Sequence, residues 1–164
     1  MLNKMKFLLV GAAAAAAMSS TAAYADTENA TATVQIIGAV NLTKFADLDF
    51  GTIASAAAAG TVALPTASNT RTCTTVTCVG TAARARFQVV AATNGYVIAI
   101  SHSPTVSLTG PGAAMSATLA SSAATITFNS ASLQDIFVGG TLSVCANQAA
   151  GTYNGSFTVT ADYQ

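Results

Sequence analysis

The sequence holds no tryptophan, one histidine and three prolines in 164 residues, and only 7% of it is charged. Each scarcity closes off a class of function. Without tryptophan, and with seven phenylalanines and four tyrosines, there is little material for a carbohydrate-stacking platform. His102 is the lone histidine, so a catalytic triad or a zinc site would have to be built around it. It lies in the turn-like Ser101-His102-Ser103-Pro104, and nothing local marks a serine as activated. No Gly-rich phosphate loop, nucleophile elbow or HExxH-type motif occurs. The expectation is a protein that is not an enzyme and takes no cofactor and no metal. After residue 25 the basic residues are Lys44, Arg71, Arg84 and Arg86, against Asp26, Glu28, Asp47, Asp49, Asp135 and Asp162, a formal charge of −2. So little charge steers neither nucleic acid nor anionic lipid. The polar surface must be Thr, Ser, Asn and Gln, which protects weakly against edge-to-edge association of strands.

Helical periodicity is also missing after residue 25. Residues 1–25 are expected to be a cleaved signal peptide. Lys4 and Lys6 form a positive start, Phe7 to Met18 is an alanine-rich apolar run, and Ala23-Tyr24-Ala25 fits the small-x-small cleavage rule before Asp26. The run is short for a membrane span, and no second one follows, so the mature chain is not expected to insert in a membrane. Residues 26–164 suit one domain with a real core.

What the mature chain does have is period-two alternation. The clearest case is Gly151 to Tyr163. Tyr153, Phe157, Val159, Ala161 and Tyr163 fall on one parity, and Thr152, Asn154, Ser156, Thr158, Thr160 and Asp162 on the other. This predicts a closing strand with one buried face, and a domain ending on such a strand needs it paired inside a sheet. A second long alternation begins at Ala30. Ala32, Val34, Ile36, Gly38, Val40 and Leu42 share its apolar face. It predicts a strand over 30–42, well beyond the usual length of about five or six residues. Gly38 marks a bend, a bulge or a close backbone approach. The domain boundaries drawn from this are an N-terminal strand over 26–43 and a β-domain over 44–164.

Between these ends the elements are short. Leu48 and Phe50 alternate with Asp47 and Asp49, read as solvated aspartates, and Gly51 turns the chain. Thr61–Leu64 is a strand, and 66–81 a Thr-rich loop carrying two cysteines. Arg84–Ala91 turns Ala85, Phe87 and Val89 inward and Arg84 and Arg86 outward. Asn94-Gly95 reads as a hairpin turn, with Tyr96–Ser101 as the return strand. Asn129-Ser130 reads as another turn, and Asp135–Val144 as two extended pieces around Gly139-Gly140. Short strands with Gly and Asn turns predict an all-β antiparallel sandwich.

The cysteines number three, an odd count for an exported chain. Cys73 and Cys78 are close enough for a local disulfide formed after export. A zinc site there lacks further ligands in register. Cys145, at a strand end, is open to three readings: a buried thiol, a partner for one of the other two, or a cross-link between subunits.

Several of these pieces, in order, resemble one family. They are Leu48-Asp49-Phe50-Gly51-Thr52-Ile53, Gly60-Thr61-Val62, Phe87-Gln88-Val89, Val138–Val144 and the closing Gly151–Tyr163. The set is similar to the bacterial DUF4402 family of exported β-sandwich proteins, whose members end in G-x-Y-x-G-x-F-x-V-x-V-x-Y. Ala161 stands here in place of the usual β-branched residue, and the cysteines are not part of the pattern. The family is similar in layout to spore-coat-U-like and fimbrial subunits. That likeness implies an immunoglobulin-like, pilin-like sandwich lacking one strand, filled by the N-terminal strand of a neighbour. It also implies a cell-surface or secreted location of the Gram-negative type, with a periplasmic chaperone and an outer-membrane usher as partners.

The expected function is a structural subunit of a surface filament that polymerises by N-terminal strand addition. Val34, Ile36, Gly38, Val40 and Leu42 would form the donated strand, and Tyr153, Phe157, Val159 and Tyr163 the closing strand beside it. The alternatives are a monomeric secreted or surface-attached adhesin binding a host or matrix ligand, and an exported enzyme dependent on His102. Alternation alone does not say whether the N-terminal strand pairs in its own domain or in a neighbour, because both need the same pattern.

Overall fold

Strands with one apolar parity are satisfied when paired into sheets that turn that parity to a common core. The structure is a computed structural model, and it describes residues 25–91, 93–128 and 133–164. The expected signal peptide lies outside the described residues except for Ala25, and the Asn129-Ser130 turn also lies outside them. Residues 25–34 are exposed and have no regular secondary structure. Residues 35–164 form a compact unit of their own.

In chain order the described strands are β1 (Val40–Ala46), β2 (Thr52–Ala54), β3 (Gly60–Leu64), β4 (Thr72–Thr74), β5 (Thr77–Val79) and β6 (Ala85–Ala91), followed by β7 (Val97–His102), β8 (Thr105–Leu108), β9 (Met115–Ser121), β10 (Thr125–Thr127), β11 (Gln134–Val144) and β12 (Val159–Tyr163). The fold is all-β and every ladder is antiparallel. β11 is the spine of the largest sheet. One of its edges pairs first with β6, over Gln134–Val138, and then with β3, over Gly140–Val144. Its other edge pairs with β9 over Val138–Ser143. This stagger curls the seven-stranded sheet strongly, into a half-barrel. A three-stranded sheet, β10-β7-β12, and the small β2–β5 pair complete the unit.

The interior has two apolar clusters. One holds Ala85, Phe87, Val89, Ile98, Ile100, Phe128, Ile136 and Val138. The other holds Phe50, Val62, Leu64, Val76, Val106, Met115, Ala117, Leu142 and Val144. The inward parity expected for Ala85, Phe87 and Val89 is the parity found, all three being buried.

Four local expectations are corrected. The first strand starts at Val40, not Ala30. From Val40 to Lys44 the chain pairs with β6 in regular register, whereas 30–39 form no strand, and Val34 and Ile36 are 86% and 89% exposed. The closing strand forms a ladder only over Val159–Tyr163. Residues 151–158 keep the alternating burial, with Tyr153 and Phe157 half-buried between exposed neighbours, but among the described residues they make backbone–backbone hydrogen bonds only at Asn154 and Thr158. Asn94-Gly95 does turn the chain, with Gly95 at φ +83°, yet β7 pairs with β10 and β12 and not with β6. The turn carries the chain from one sheet to another. Finally, Gly139-Gly140 lie inside one continuous β11. A Cβ at Gly139 would collide with the Leu64 carbonyl, and one at Gly140 with that of Thr118. Glycine here permits close strand approach and does not interrupt the strand.

Candidate functional site: an open seam between two chain segments

The hydrogen-bonded circuit of the half-barrel can be walked from β1 to β6, β11, β9 and β8. From the end of β8 it steps to the closing segment through the Thr109–Asn154 bridge. There it stops. The closing segment comes round beside β1, but no ladder joins them. Each of the five steps is antiparallel, so β1 and the closing segment run in opposite directions.

The seam has a closed and an open end. At the closed end β1 and β12 come together over the first cluster, Val40 and Leu42 facing Val159, Ala161 and Tyr163 around it. The Tyr163 hydroxyl donates to the Gly38 carbonyl at 2.7 Å, and the Gly38 N–H donates to Thr93 Oγ1 at 3.0 Å. Tyr163 also meets Tyr96 edge to face, with ring centroids 5.7 Å apart. Towards the other end the walls part around a cavity of about 1010 Å³, bounded by Lys44–Ser55 on one side and Gln148–Phe157 on the other.

Backbone geometry sets what the two lips offer. Asp49 exchanges both of its backbone hydrogen bonds with Ala83, at 2.7 and 2.9 Å. In a strand, neighbouring residues point these groups the opposite way. The Leu48 N–H and C=O and the Phe50 N–H therefore face the gap, and among the described residues they make no hydrogen bond. Across the gap Asn154 exchanges both bonds with Thr109 at 2.9 Å, and the Thr158 carbonyl accepts from Ser103 N–H. That turns the backbone groups of Tyr153, Gly155 and Phe157 to the gap. The floor between the lips is apolar: Ala85, Phe87, Leu108, Met115, Leu142 and Val144. The rim carries an exposed Lys44–Asp47 ion pair at 2.6 Å. The site thus presents two segments with unpaired backbone groups over a hydrophobic floor, features that can template a further strand.

The residues expected to matter divide between the ends. Tyr153 and Phe157 line the open end, while Val159, Tyr163, Val40 and Leu42 close the other. Tyr153 is fixed by its hydroxyl, which accepts from Gly112 N–H and donates to the Ala149 carbonyl, both at 2.9 Å. Asp47 is the ion-pair partner already named, and Asp49 is more than a solvated carboxylate, since its Oδ1 accepts from Gly51 N–H at 2.7 Å. Arg84 stacks over the Phe137 ring, and Arg86 pairs with Asp135 at 2.8 Å, both away from the gap. Cys73 of β4 and Cys78 of β5 form a disulfide across the turn between these strands, with their Cα atoms 6.3 Å apart. Cys145 is a free thiol, and it is half-buried where full burial was one expectation. His102 packs half-buried, its Nδ1 2.8 Å from the Ser103 carbonyl. Two contributors were missed in the sequence. Gln148 is buried at the groove wall and donates to the Ala113 carbonyl at 2.6 Å. Arg71 holds the bend after Phe50. Its only signal was a lone charge in a Thr-rich stretch.

An all-β antiparallel protein with one strongly curled half-barrel is the class that fold and site define. The chain belongs to the family described as a domain of unknown function, DUF4402, whose model matches residues 40–163. The match starts at the first residue of β1. No curated protein and no solved structure was found to match the chain.

Proposed function

We propose that the protein is a structural subunit of a surface filament, polymerised when one subunit's N-terminal segment fills the open seam of the next. One observation carries this reading: among the described residues, the hydrogen-bonded circuit from β1 round to the closing segment does not close, and unpaired backbone groups flank an apolar floor there. The finer fold goes with it, an incomplete immunoglobulin-like sandwich of the pilin kind. So do export by the signal peptide, a cell-surface location, and a chaperone and usher that hold the seam until a strand arrives.

Chain length favours a neighbour's strand over the subunit's own. Gly38 is anchored at the closed end, and the groove wall begins at Lys44. Doubling back over that stretch takes about 20 Å, or about six extended residues. Ala32–Ile37 would be used up in the return, leaving Asp26–Thr31 for the groove. That piece has no large apolar residue, whereas the displaced Val34 and Ile36 are the side chains suited to the floor. Donation to a second copy avoids this mismatch. The donor leaves at one end of the seam and the acceptor opens at the other, so the contact is heterologous and builds a chain, not a closed dimer.

The test is a gel of unboiled protein with and without residues 26–37. The expected result is a ladder that collapses on boiling and is absent from the truncated chain. A chain that runs only as a monomer, with thermal stability unchanged by the truncation, overturns the reading and leaves the adhesin alternative. A ladder that collapses with reductant alone reassigns the association to Cys145.

A further inference from the structure

We infer that Arg71 is a positioning residue for strand acceptance, setting the lip of the groove from outside it. The inference rests on the reading of the seam as a strand acceptor. To take one strand, the lips must stay two strand spacings apart, about 9.6 Å. The closing lip is held by the Thr109 bridge and by Tyr153. The opposite lip has one backbone bridge, at Asp49, before Gly51 turns the chain at φ +72° towards β2. Arg71 occupies that bend.

Its guanidinium forks. Nη1 donates to the Phe50 carbonyl, on the lip itself. Nη2 donates to the carbonyls of Val79 at 2.6 Å, Gly80 at 3.2 Å and Thr52 at 3.5 Å. The fork thereby ties the lip to the end of β5, the strand whose Cys78 is cross-linked to Cys73 of β4. Gly51 leaves the room, because a Cβ there would collide with Arg71 Nη1 and the Thr81 carbonyl. The Phe50 carbonyl is drawn away from the gap while its N–H stays available. Only a planar, forked cation spans both segments at once; lysine has a single ammonium to share between them.

A labelled synthetic peptide of residues 28–39 is titrated into the full-length protein and its variants, with Tm measured in parallel. Wild type is expected to bind, and Arg71→Ala to bind at least tenfold more weakly, mainly through faster dissociation. Arg71→Lys is expected to fall between them, and it supplies the same comparison if Arg71→Ala does not fold. Arg84→Ala is the control, since Arg84 ties Thr66 and stacks on Phe137 away from the gap. It should lower Tm and leave peptide affinity unchanged. Affinity within twofold of wild type in both Arg71 variants overturns the inference and leaves the acceptor reading standing. An Arg84→Ala loss as large as that of Arg71→Ala also overturns it, because general stability would then explain both. Failure of wild type to bind the peptide removes the acceptor reading and this inference together.

Discussion

The two ends of the seam are made of the same materials and end in opposite states. At the closed end, Val40 and Leu42 meet Val159, Ala161 and Tyr163 over a core in which Phe128, Ile98, Val89 and Val138 are fully buried. At the open end, Leu48 and Phe50 face Tyr153 and Phe157 across a cavity. Both ends alternate apolar and polar residues, and both have strand-like walls. The difference is the route taken by the chain. Gly38 and Tyr163 are tied together at one end, while Gly51 leads the lip away from its counterpart at the other. An apolar parity fixes which face a strand buries. It leaves open whether the strand's edge finds a partner.

Side-chain truncation tests that contrast most strongly. Phe128→Ala empties a site with no exposed surface in the closed half and is expected to cost about 3–5 kcal/mol in urea unfolding. Leu108→Ala removes a half-buried groove residue and is expected to cost about 1 kcal/mol in the free chain. Its cost should rise once the residue 28–39 peptide fills the gap. Equal costs for both in the free chain would mean the open end is not open.

Next is the support of the open lip. The Cys73–Cys78 cross-link closes a short loop, so its loss is expected to cost about 2 kcal/mol on chain entropy. A Cys73→Ser, Cys78→Ser double variant measures this by its urea midpoint. Hydrogen exchange should quicken at the amides of Asp49 and Gly51, which donate to the Ala83 carbonyl and to Asp49 Oδ1, and hold steady at Val89 and Ile98. Uniform acceleration across both halves would deny the cross-linked turn any special link to the lip.

Much of this architecture was legible in the sequence, and the reason the rest was not is physical. Burial parity at Ala85, Phe87 and Val89, and from Tyr153 to Tyr163, could be read because side chains report their own transfer into a core. Pairing could not be read the same way, since every residue carries the same N–H and C=O. Asn94-Gly95 announced a turn but not that its flanks would join different sheets. Gly139-Gly140 looked like a break because glycine weakens a strand, while the close approach of Leu64 and Thr118 that requires it lies far away in sequence. Val34 and Ile36 alternate as a strand should, and nothing in the pattern says that 30–39 lacks an edge to pair with. Of the site, Tyr153 and Phe157 could be named in advance. Arg71 could not, because its partners are all main-chain carbonyls.

A smaller effect is expected where the closed end is pinned. Tyr163→Phe removes the hydrogen bond to the Gly38 carbonyl and keeps the ring against Tyr96. The cost should be about 1 kcal/mol, typical of a single neutral hydrogen bond. Its more telling consequence is local: the Gly38 amide should lose exchange protection while the Asp49 amide, bonded to the Ala83 carbonyl, is unaffected. Loss of protection at both places would mean that the two ends open as one unit, and the contrast between them would fail.

The smallest expected effect separates two neighbouring carboxylates on the open lip. Asp47 pairs with Lys44, but their side chains are 79% and 56% exposed, and an ion pair in that much water contributes little. Asp47→Asn should change stability by no more than about 0.5 kcal/mol, with the residual effect vanishing at high salt. Asp49 differs by what it touches. Its carboxylate accepts the N–H of Gly51 in the bend that Arg71 also holds, a local geometry that salt does not dissolve. Asp49→Ala should therefore cost more than Asp47→Asn, about 1 kcal/mol, and keep that cost at high salt. If the two variants prove indistinguishable, the bend after Phe50 is held by Arg71 and the backbone alone. The lip would then depend on a single side chain, and Arg71→Ala should become the most damaging change to strand binding on that side of the gap.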